Sequence, residues 1–552
     1  MEASTDRAEK IQPSSPPYLL LFFLVLVSFS SAITGAASAD DDGTLPPLPQ
    51  SEVEALSKIG ARLGMDIGEW NVTVRNCSAL DGVALNASTS DSFNKVTCNC
   101  SYMRSTVCHV TSIQLTRQNL TGMLPEEVVN LTYLRNLDLS QNYLSGPIPA
   151  VWASLQVFNL SLQGNRISGK IPKELGKMPL IKSLQVESNQ LGGFIPIEIG
   201  DLSSLETLII SSNRFIGELP SSFAKLVKMN DFRMDGNNIS GKIPEFIKNW
   251  ISVNRIDMVG TSLVGPIPES ITLLKNLTQL RVSDLQGPQG MGFPKLQNAK
   301  QLTKLVLRNC LISGEIPSYI GTLENLKVLD LSFNHLSGII PLNFEELEAL
   351  EYLYLTNNML TGEIPPWMLR NRASNKINID LSYNNFTGTA PSDCQEGNVN
   401  MVASFSSTYD DSITECLRKE FPCSTKPQYT SLFINCGGQN VSFEGNEYDK
   451  DTSQIGSSRF NLDKSERWAY SSTGDFTGNE DANFIATNTS ILNMTNPDLY
   501  TEARLTPISL KYYGLCLENG NYSVKLHFAE IIFTNDETYW SLGKRLFDVL
   551  IQ

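Results

Sequence analysis

Charged residues at a regular spacing are the first candidates for chemistry in this 552-residue sequence. Arg233, Asp257 and Arg281 follow one another at intervals of 24 residues. An arginine fork can bind a carboxylate through two parallel N–H bonds, so such a set suits a ligand carboxylate or an extended peptide. A solvated surface of mixed charge is the alternative, because exposed ion pairs are common and contribute little stability. We predict a ligand site formed by Arg233, Asp235, Arg255, Asp257, Arg281, Lys304, Arg308 and Tyr354.

Catalytic patterns are missing from the sequence. His109, His335 and His527 lie far apart, and there is no Gly-x-Ser-x-Gly nucleophile motif. The glycines of Gly287-x-x-Gly290-x-Gly292 have the wrong order for a phosphate loop, and no His-Arg-Asp or Asp-Phe-Gly triplet of a kinase occurs. We therefore predict no catalytic residues, no metal site and no cofactor for this chain.

A repeat positions the charged residues. Its clearest copy is Leu134-x-x-Leu137-x-Leu139-x-x-Asn142-x-Leu144-x-Gly146-x-Ile148-Pro149, and the pattern returns about every 24 residues. This period with apolar positions 1, 4, 6 and 11 is typical of a leucine-rich-repeat solenoid, in which each repeat supplies one short parallel strand. Twelve copies occur in register, with first positions at 110, 134, 157, 181, 205, 229, 253, 277, 302, 326, 350 and 376.

Position 9 of most repeats is an asparagine whose amide we expect to point inward. There it would satisfy backbone groups of the turn, each of which would cost roughly 1–3 kcal/mol if left unpaired. These residues are Asn142, Asn165, Asn189, Asn213, Asn237, Asn334, Asn358 and Asn384. The glycine of the closing Gly-x-Ile/Leu-Pro segment permits an unusual dihedral, and the proline prevents a helix from starting early.

Side chains at positions 2, 3, 5, 7 and 8 should form columns on the concave face, because strand residues alternate between faces. The first repeats carry small polar residues there, and a glycan on Asn159 would block that end. The charged set begins with the repeats from Met229, and the columns later change to Tyr352, Tyr354 and Tyr383.

Two repeats depart from the pattern. The repeat that starts at Leu277 has Leu285 at position 9, followed by a Gly/Pro-rich stretch that ends at Pro294. Either a harmless bulge or a functional loop would explain this stretch, since loops on rigid scaffolds often carry function. The next repeat has Cys310 at position 9, which we interpret as a buried free thiol.

The N-terminus has the layout of a secretory signal peptide. An apolar run over Tyr18–Val27 follows Arg7 and Lys10, and Ala37-Ser38-Ala39 fits a cleavage site. A buried core helix is the alternative interpretation. We assign residues 1–39 to the signal peptide and 40–109 to an acidic leader and a cysteine-rich N-terminal cap, which includes a helix with Val53, Leu56, Ile59 and Leu63 on one face.

Four cysteines of this cap, Cys77, Cys98, Cys100 and Cys108, should be oxidised in a secreted protein. Metal binding is the competing interpretation, but only His109 stands near ligand spacing. Three pairings of these four cysteines remain open.

The composition changes after the repeats, which we assign to residues 110–391. Residues 392–429 hold three cysteines and are interpreted as a C-terminal cap and linker. Residues 430–552 are rich in aromatic and β-prone residues, and the alternation over Tyr522–Glu530 indicates strands of a β-sandwich. Within this part we predict a disulfide between Cys436 and Cys516.

The order of these segments resembles the plant leucine-rich-repeat receptor-like kinases that carry a malectin-like domain. The resemblance rests on the Gly-x-Ile-Pro repeats, on Asn435-Cys436-Gly437-Gly438 and on Gly520-x-Tyr522-x-Val524-x-Leu526-x-Phe528-Ala529-Glu530. It implies an α/β solenoid followed by an all-β sandwich. It also implies that the chain is an ectodomain part, and that the longer protein continues through a membrane span to a serine/threonine kinase.

Malectin-like domains are similar to carbohydrate-binding modules, which stack sugars on aromatic rings. The candidates for such stacking are Tyr448, Trp468, Tyr470, Tyr512 and Tyr513, although each is more simply interpreted as a core residue.

The function that the resemblance implies is recognition of an extracellular peptide, protein or carbohydrate at the plasma membrane, with a second receptor as partner. A secreted decoy or inhibitor that acts without a kinase is the alternative. The net charge of −15 argues against nucleic acid as a partner. Dense Asn-x-Ser/Thr sequons fit a secreted glycoprotein, and we predict glycans on Asn71, Asn76, Asn86, Asn99, Asn119, Asn130, Asn159, Asn238, Asn276, Asn385, Asn440, Asn488, Asn493 and Asn521.

Overall fold

A computed structural model of the chain describes residues 46–65, 70, 83–84, 95–288, 290–369, 377–388, 394–405, 429–453, 456, 458–465, 467–474, 484–488, 497–532 and 549. The predicted signal peptide lies outside the described residues, as do Cys77 and the sequons at Asn71, Asn76, Asn86 and Asn493.

One long sheet of sixteen strands runs through the described part of the repeats. Each of the twelve predicted repeats contributes one strand to it, and successive repeats pair in parallel, as Asp231↔Arg255 and Arg255↔Gln279 do. We call the outward side of this sheet the concave face. In sheet order its strands are Val83–Ala84, Lys95–Tyr102, Val107–Gln114, Asn136–Asp138, Asn159–Ser161, Ser183–Gln185, Thr207–Ile209, Asp231–Arg233, Arg255–Met258, Gln279–Ser283, Lys304–Arg308, Val328–Asp330, Tyr352–Tyr354, Asn378–Asp380, Val399–Asn400 and Gln395–Glu396.

A second sheet forms where each repeat closes. Its glycines take the left-handed conformation that only glycine adopts easily, for example Gly217 with φ +79°. Two groups of strands are present: Ser145–Gly146, Arg166–Gly169, Gln190–Phe194, Arg214–Gly217, Asn238–Lys242 and Ser262–Val264, and then Ser313–Glu315, His335–Gly338 and Met359–Leu360.

The Gly/Pro-rich stretch after Leu285 fills the gap between these two groups. Gln286 bridges Val264 on one side and Met291 bridges Ile312 on the other, while Leu285 and Met291 are buried in the core. The stretch therefore continues the second sheet irregularly and packs the interior, which favours the structural one of the two predicted alternatives.

Short 3-10 helices form the opposite side of the repeats. Each follows a proline, whose fixed φ suits the residue before a helix, as in Pro220 with φ −59°. The helices of the repeats are Glu126–Asn130, Ala150–Ser154, Lys173–Lys177, Ile197–Asp201, Ser221–Lys225, Glu245–Asn249, Glu269–Leu273, Ser318–Thr322 and Leu342–Glu346, and an α-helix spans Pro366–Leu369.

The position-9 asparagines form an internal ladder, as predicted. Asn213 Nδ2 donates to the carbonyl oxygens of Val186 (2.9 Å) and Ile210 (3.2 Å), and its Oδ1 accepts from Leu191 N at 3.0 Å. One amide thus satisfies backbone groups of two repeats at once. Cys310, in the place of such an asparagine, is a buried free thiol, which confirms that prediction.

The N-terminal cap closes the apolar end of the first repeat. Helix Gln50–Arg62 buries Leu56 and Ile59, as predicted, and Leu63 is buried just past its end. Glu52 fixes the helix to the sheet, because its Oε2 accepts from Val110 N (2.9 Å) and its Oε1 lies 2.6 Å from Nδ1 of His109. A disulfide joins Cys100 to Cys108, and Cys98 is also disulfide-bonded, in agreement with an oxidised cap.

The C-terminal part is built from small sheets. One contains Ile434–Asn435, Val441–Phe443 and Asn446–Lys450; another contains Phe460–Leu462, Trp468–Thr473 and Ser509–Gly514; a third pairs Ile485–Thr487 with Glu502–Arg504, and a 3-10 helix spans Pro497–Tyr500. A buried ion pair between Arg504 and Asp451, with Nη2 and Oδ1 2.5 Å apart, connects these layers.

One sequence prediction for the C-terminal part is wrong. Cys436 is a free thiol and Cys516 is disulfide-bonded, so the two are not paired with each other. Over residues 521–530, Lys525 and His527 contact the ring of Phe443, whereas Phe528 is 63% exposed. The predicted strand over these residues stays a prediction.

Candidate functional site

The predicted charged residues lie on adjacent strands of the concave face. Asp231 is in register with Arg255, and Arg233 with Asp257. Asp257 in turn is in register with Arg281 on the next strand. The 24-residue spacing therefore brings the charges into contact, which is what the sequence predicted.

Asp257 is the centre of this cluster. Its Oδ2 accepts from Nε and Nη2 of Arg255, at 3.0 and 2.6 Å, and from Nη1 of Arg281 at 3.2 Å. The Asp257 side chain is only 1% exposed, whereas those of Arg255 and Arg281 are 24% and 30% exposed. Asp257 is therefore covered on the concave face, which corrects the prediction that its side chain is exposed there, while its role toward a ligand stays a prediction. It lies beneath the two arginines and positions them.

The second carboxylate oxygen of Asp257, Oδ1, differs from Oδ2. Oδ1 is covered from solvent and has no hydrogen-bond donor among the described residues. A buried carboxylate oxygen without a donor is unfavourable, so this atom is a place where a bound water or a ligand donor would be stabilised.

The flanking arginines are held in the same way. Nε of Arg233 donates to Oδ1 of Asp231 at 2.8 Å, and a second contact joins Nη2 to Oδ2. Arg308 Nη1 lies 3.5 Å from Oδ2 of Asp330. Every arginine of the predicted site therefore has an aspartate partner, and the surface is a set of ion pairs.

Two acidic residues, Asp235 and Glu187, lie near the arginines on the concave face. Oγ of Ser211 donates to Oδ1 of Asp235 at 2.7 Å, and Glu187 lies in the same column two repeats before Asp235. Burial raises the pKa of Glu187 to about 7, and the charges of Asp235 and Asp231 act in the same direction, whereas its backbone hydrogen bond and Arg233 oppose it. Oε2 of Glu187 is covered and has no donor among the described residues.

Sequence reasoning missed Glu187 and Asp330. Glu187 is at position 7 of its repeat and Asp330 is at position 5. Both positions belong to the columns expected on the concave face, so this expectation (the column rule) could have identified them from the sequence.

At the C-terminal end of the repeats, the concave face is covered. Tyr354 is 3% exposed, which corrects the prediction that it binds ligand. Tyr383 is also engaged, because its hydroxyl bonds that of Tyr513 and Nζ of Lys511 lies 3.3 Å from its ring centroid. Column residues of the last three repeats are buried likewise: Asp330, Ser332, Thr356, Asp380 and Ser382.

The C-terminal part contacts the last repeat and the strand Val399–Asn400 that follows it through hydrogen bonds between buried side chains. Oγ1 of Thr473 donates to Oδ2 of Asp380 at 2.7 Å, and Nδ2 of Asn400 donates to Ser471 Oγ at 2.9 Å. Burial lowers the pKa of Lys511 to about 8, opposed by the charge of Asp380. We call this contact the junction.

The aromatic candidates of the C-terminal part mostly belong to its core. Tyr448, Trp468 and Tyr470 are buried. Tyr512 donates to Oδ2 of Asp451 at 2.6 Å, and Tyr513 lies at the junction. None of the five presents an open ring for stacking a sugar, in agreement with the core interpretation.

The sequon asparagines in the described ranges are exposed, except for Asn488, which is partly buried: Asn99, Asn119, Asn130, Asn159, Asn238, Asn276, Asn385, Asn440 and Asn521. The described residues contain no group of three His, Cys, Asp or Glu side chains that could hold a metal ion. Over the same residues, no helix has both the length and the apolar character needed to cross a membrane.

Family profiles match both halves of the chain. The malectin domain profile matches residues 430–552. Leucine-rich-repeat profiles match residues 300–360 and residues 133–155, 156–178 and 204–226.

Relatives with both halves exist in Arabidopsis thaliana. One, named as a probable LRR receptor-like serine/threonine-protein kinase, is 51% identical over 97% of this chain and 50% of its own length. A second with the same description is 47% identical over 92% of this chain and 48% of its own length. The chain thus spans about half the length of these relatives.

A solved structure shares the solenoid. It is the LRR ectodomain of the plant membrane receptor kinase GASSHO1/SCHENGEN3 from Arabidopsis thaliana, in complex with CASPARIAN STRIP INTEGRITY FACTOR 2. The TM-score is 0.50 at 27% identity, and the match covers 64% of this chain and 38% of that one.

Proposed function

Because this chain belongs to the plant leucine-rich-repeat receptor-like kinases that carry a malectin domain, we propose that its repeats bind an extracellular ligand on the concave face, at Arg255 and Arg281. The related GASSHO1/SCHENGEN3 ectodomain was solved with a bound factor, which supports a binding role for this type of solenoid.

The buried carboxylate of Asp257 is the observation that carries the proposal. It holds two arginines from neighbouring strands, and the structure leaves one of its oxygens without a donor among the described residues. A buried ion cluster is a poor source of stability compared with apolar packing. The free-energy cost of burying these charges has a functional explanation if the cluster holds Arg255 and Arg281 in position to bind a ligand.

The remaining donors define the ligand chemistry. Arg255 uses Nε and Nη2 for Asp257 and keeps Nη1, while Arg281 uses Nη1 and keeps Nε and Nη2. These N–H groups suit a carboxylate or a chain of peptide carbonyls, since hydrogen bonds from an ionised donor are the stronger kind. An extended peptide or a protein segment is favoured over a carbohydrate, because the five aromatic residues of the malectin domain that were candidates for stacking sugars are buried or engaged.

The site is limited on both sides. The exposed Asn159 stands on the concave face before the charged repeats, and a glycan there would obstruct that end. The junction, where the malectin domain contacts Asp380 and Tyr383, closes the other end. We infer that the ligand contacts the repeats between these limits.

Recognition would serve signalling at the cell surface in a longer protein. The relatives are named as receptor-like serine/threonine kinases, and we propose that this chain contributes ligand capture, with a second receptor as partner, while phosphate transfer would reside outside the repeats and the malectin domain.

The test is peptide binding to the purified secreted chain. A library of short synthetic peptides with free or amidated C-termini is screened, and hits are measured by titration calorimetry. Arg255→Ala combined with Arg281→Ala should weaken each hit by about 1.5 kcal/mol or more, which is about tenfold or more, because charged hydrogen bonds to the peptide are lost.

Arg214→Ala is the matched control, since Arg214 is exposed on the second sheet, away from the concave face. Its affinity for the hits should equal that of the unmodified chain. Hits that bind the double variant with full affinity would place the site elsewhere, with the malectin domain as the next candidate.

A further inference from the structure

A row of three exposed side chains crosses the second sheet. Phe194 is in register with Ile216, and Ile216 is in register with Asn238. Paired positions of a parallel sheet point to the same face. Phe194 is 67% exposed and Ile216 is 40% exposed, so the row presents two large apolar side chains beside an asparagine.

The ring of Phe194 leans along this row. A Cβ placed on Gly217 would lie 2.4 Å from Cδ1 and 2.5 Å from Cε1 of Phe194. The ring therefore lies over the glycine of the neighbouring strand, on the side toward Asn238. Gly217 permits this position because it has no side chain.

The side chain of Asn238, at the end of this row, is bonded to the next strand. Oγ of Ser262, on the next strand, donates to Oδ1 of Asn238 at 2.7 Å. This hydrogen bond uses Oδ1 of the amide and not Nδ2. Asn238-Ile239-Ser240 is a glycosylation sequon, and Nδ2 is the atom that carries the glycan.

We propose that the N-linked glycan of Asn238 folds back across Ile216 and Phe194 and covers this apolar row. The distance is suitable, because two strand spacings amount to about 9.6 Å and the first two sugars of a glycan can span it. The apolar C–H face of a pyranose packs well against an aromatic ring. The inference is independent of the ligand site, which lies on the other sheet.

The test is a double-mutant cycle, in which melting temperatures are measured for the chain and its variants secreted from plant or insect cells. Glycopeptide mass spectrometry first measures occupancy of Asn238. Phe194→Ser is then introduced into the unmodified chain, into Asn238→Gln and into Ser240→Ala, which removes the sequon but keeps the asparagine amide. Phe194→Ser should lower the melting temperature of the unmodified chain and should change little in the two variants that lack the glycan.

Asn276→Gln is the control background, because Asn276 is an exposed sequon outside the second sheet. There, Phe194→Ser should lower the melting temperature as much as in the unmodified chain. An unoccupied Asn238, or an equal effect of Phe194→Ser in all four backgrounds, would overturn the proposal. Because Ser240→Ala retains the bond to Ser262, it decides the question even if Asn238→Gln does not fold.

Discussion

Thr473 of the malectin domain and Asp380 of the last repeat are joined by a 2.7 Å hydrogen bond inside the junction. Asp380 is completely buried, and its other oxygen accepts from Ser382 N (3.1 Å) and Ser382 Oγ (2.5 Å). Burial raises the pKa of Asp380, whereas these three hydrogen bonds and the charge of Lys511 oppose that rise. The malectin domain therefore supplies one of the groups that this carboxylate requires.

Replacing Thr473 with valine should loosen the junction. The substitution keeps the shape but removes the donor, so Oδ2 of Asp380 loses its partner at a cost of roughly 1–3 kcal/mol. We expect a lower calorimetric transition for the malectin domain and faster limited proteolysis of the chain.

Thr473→Ser is the control, because it keeps the hydroxyl group. It should match the unmodified chain in both measurements. Equal behaviour of the valine and serine variants would show that the bond to Asp380 does not hold the junction.

Glu187 should make the repeats less stable as pH rises. Its pKa is about 7 in the folded chain and 4.5 in its ordinary range, so the folded state binds its proton more tightly. The stability that this proton contributes is complete below about pH 4.5 and is lost as pH rises through 7, by on the order of 2–3 kcal/mol.

Glu187→Gln should abolish this dependence, because the amide does not titrate in this range. The measurement is the melting temperature at pH 5 and pH 8. Glu324→Gln, at an exposed position, should retain the dependence of the unmodified chain. If Glu187→Gln retained it as well, another group would be responsible.

Thiol labelling should distinguish the free cysteines from the bonded ones. In the folded chain only the exposed Cys436 should react among the described cysteines, and denaturation without reductant should add the buried Cys310. Cys98, Cys100, Cys108, Cys394 and Cys516 are disulfide-bonded and should stay unlabelled. Label on Cys516 would contradict the structure, and label on Cys100 or Cys108 would contradict the oxidised cap.

Much of the fold followed from the sequence because repeats are local. A leucine at position 4 or an asparagine at position 9 contacts its own repeat and the next, so its role depends only on its place in the pattern. This is why the strands, the amide ladder, the buried Cys310 and the alignment of Arg233 with Asp257 were all predicted.

The errors concern contacts between segments distant in sequence. The column rule placed Tyr354 and Tyr383 outward, but it contains no information on what packs over the sheet; Tyr383 bonds Tyr513, which lies 130 residues away. The pairing of Cys516 depends on such long-range packing too. The burial of Asp257 was not predicted for a different reason. The spacing of residues in the repeat gives the face to which a side chain points, but not whether neighbouring side chains such as Arg255 and Arg281 cover it.

The amide ladder is interrupted in the repeats that hold the arginines. Thr261, Leu285 and Cys310 replace three successive asparagines, and a hydroxyl or a thiol there makes only long contacts, such as Cys310 Sγ to Val282 O at 3.4 Å. These three repeats are therefore joined by main-chain pairing and apolar packing instead of by amide side chains. Arg255, Arg281 and Arg308 all lie on strands of this paired region, so their register does not depend on the amide ladder.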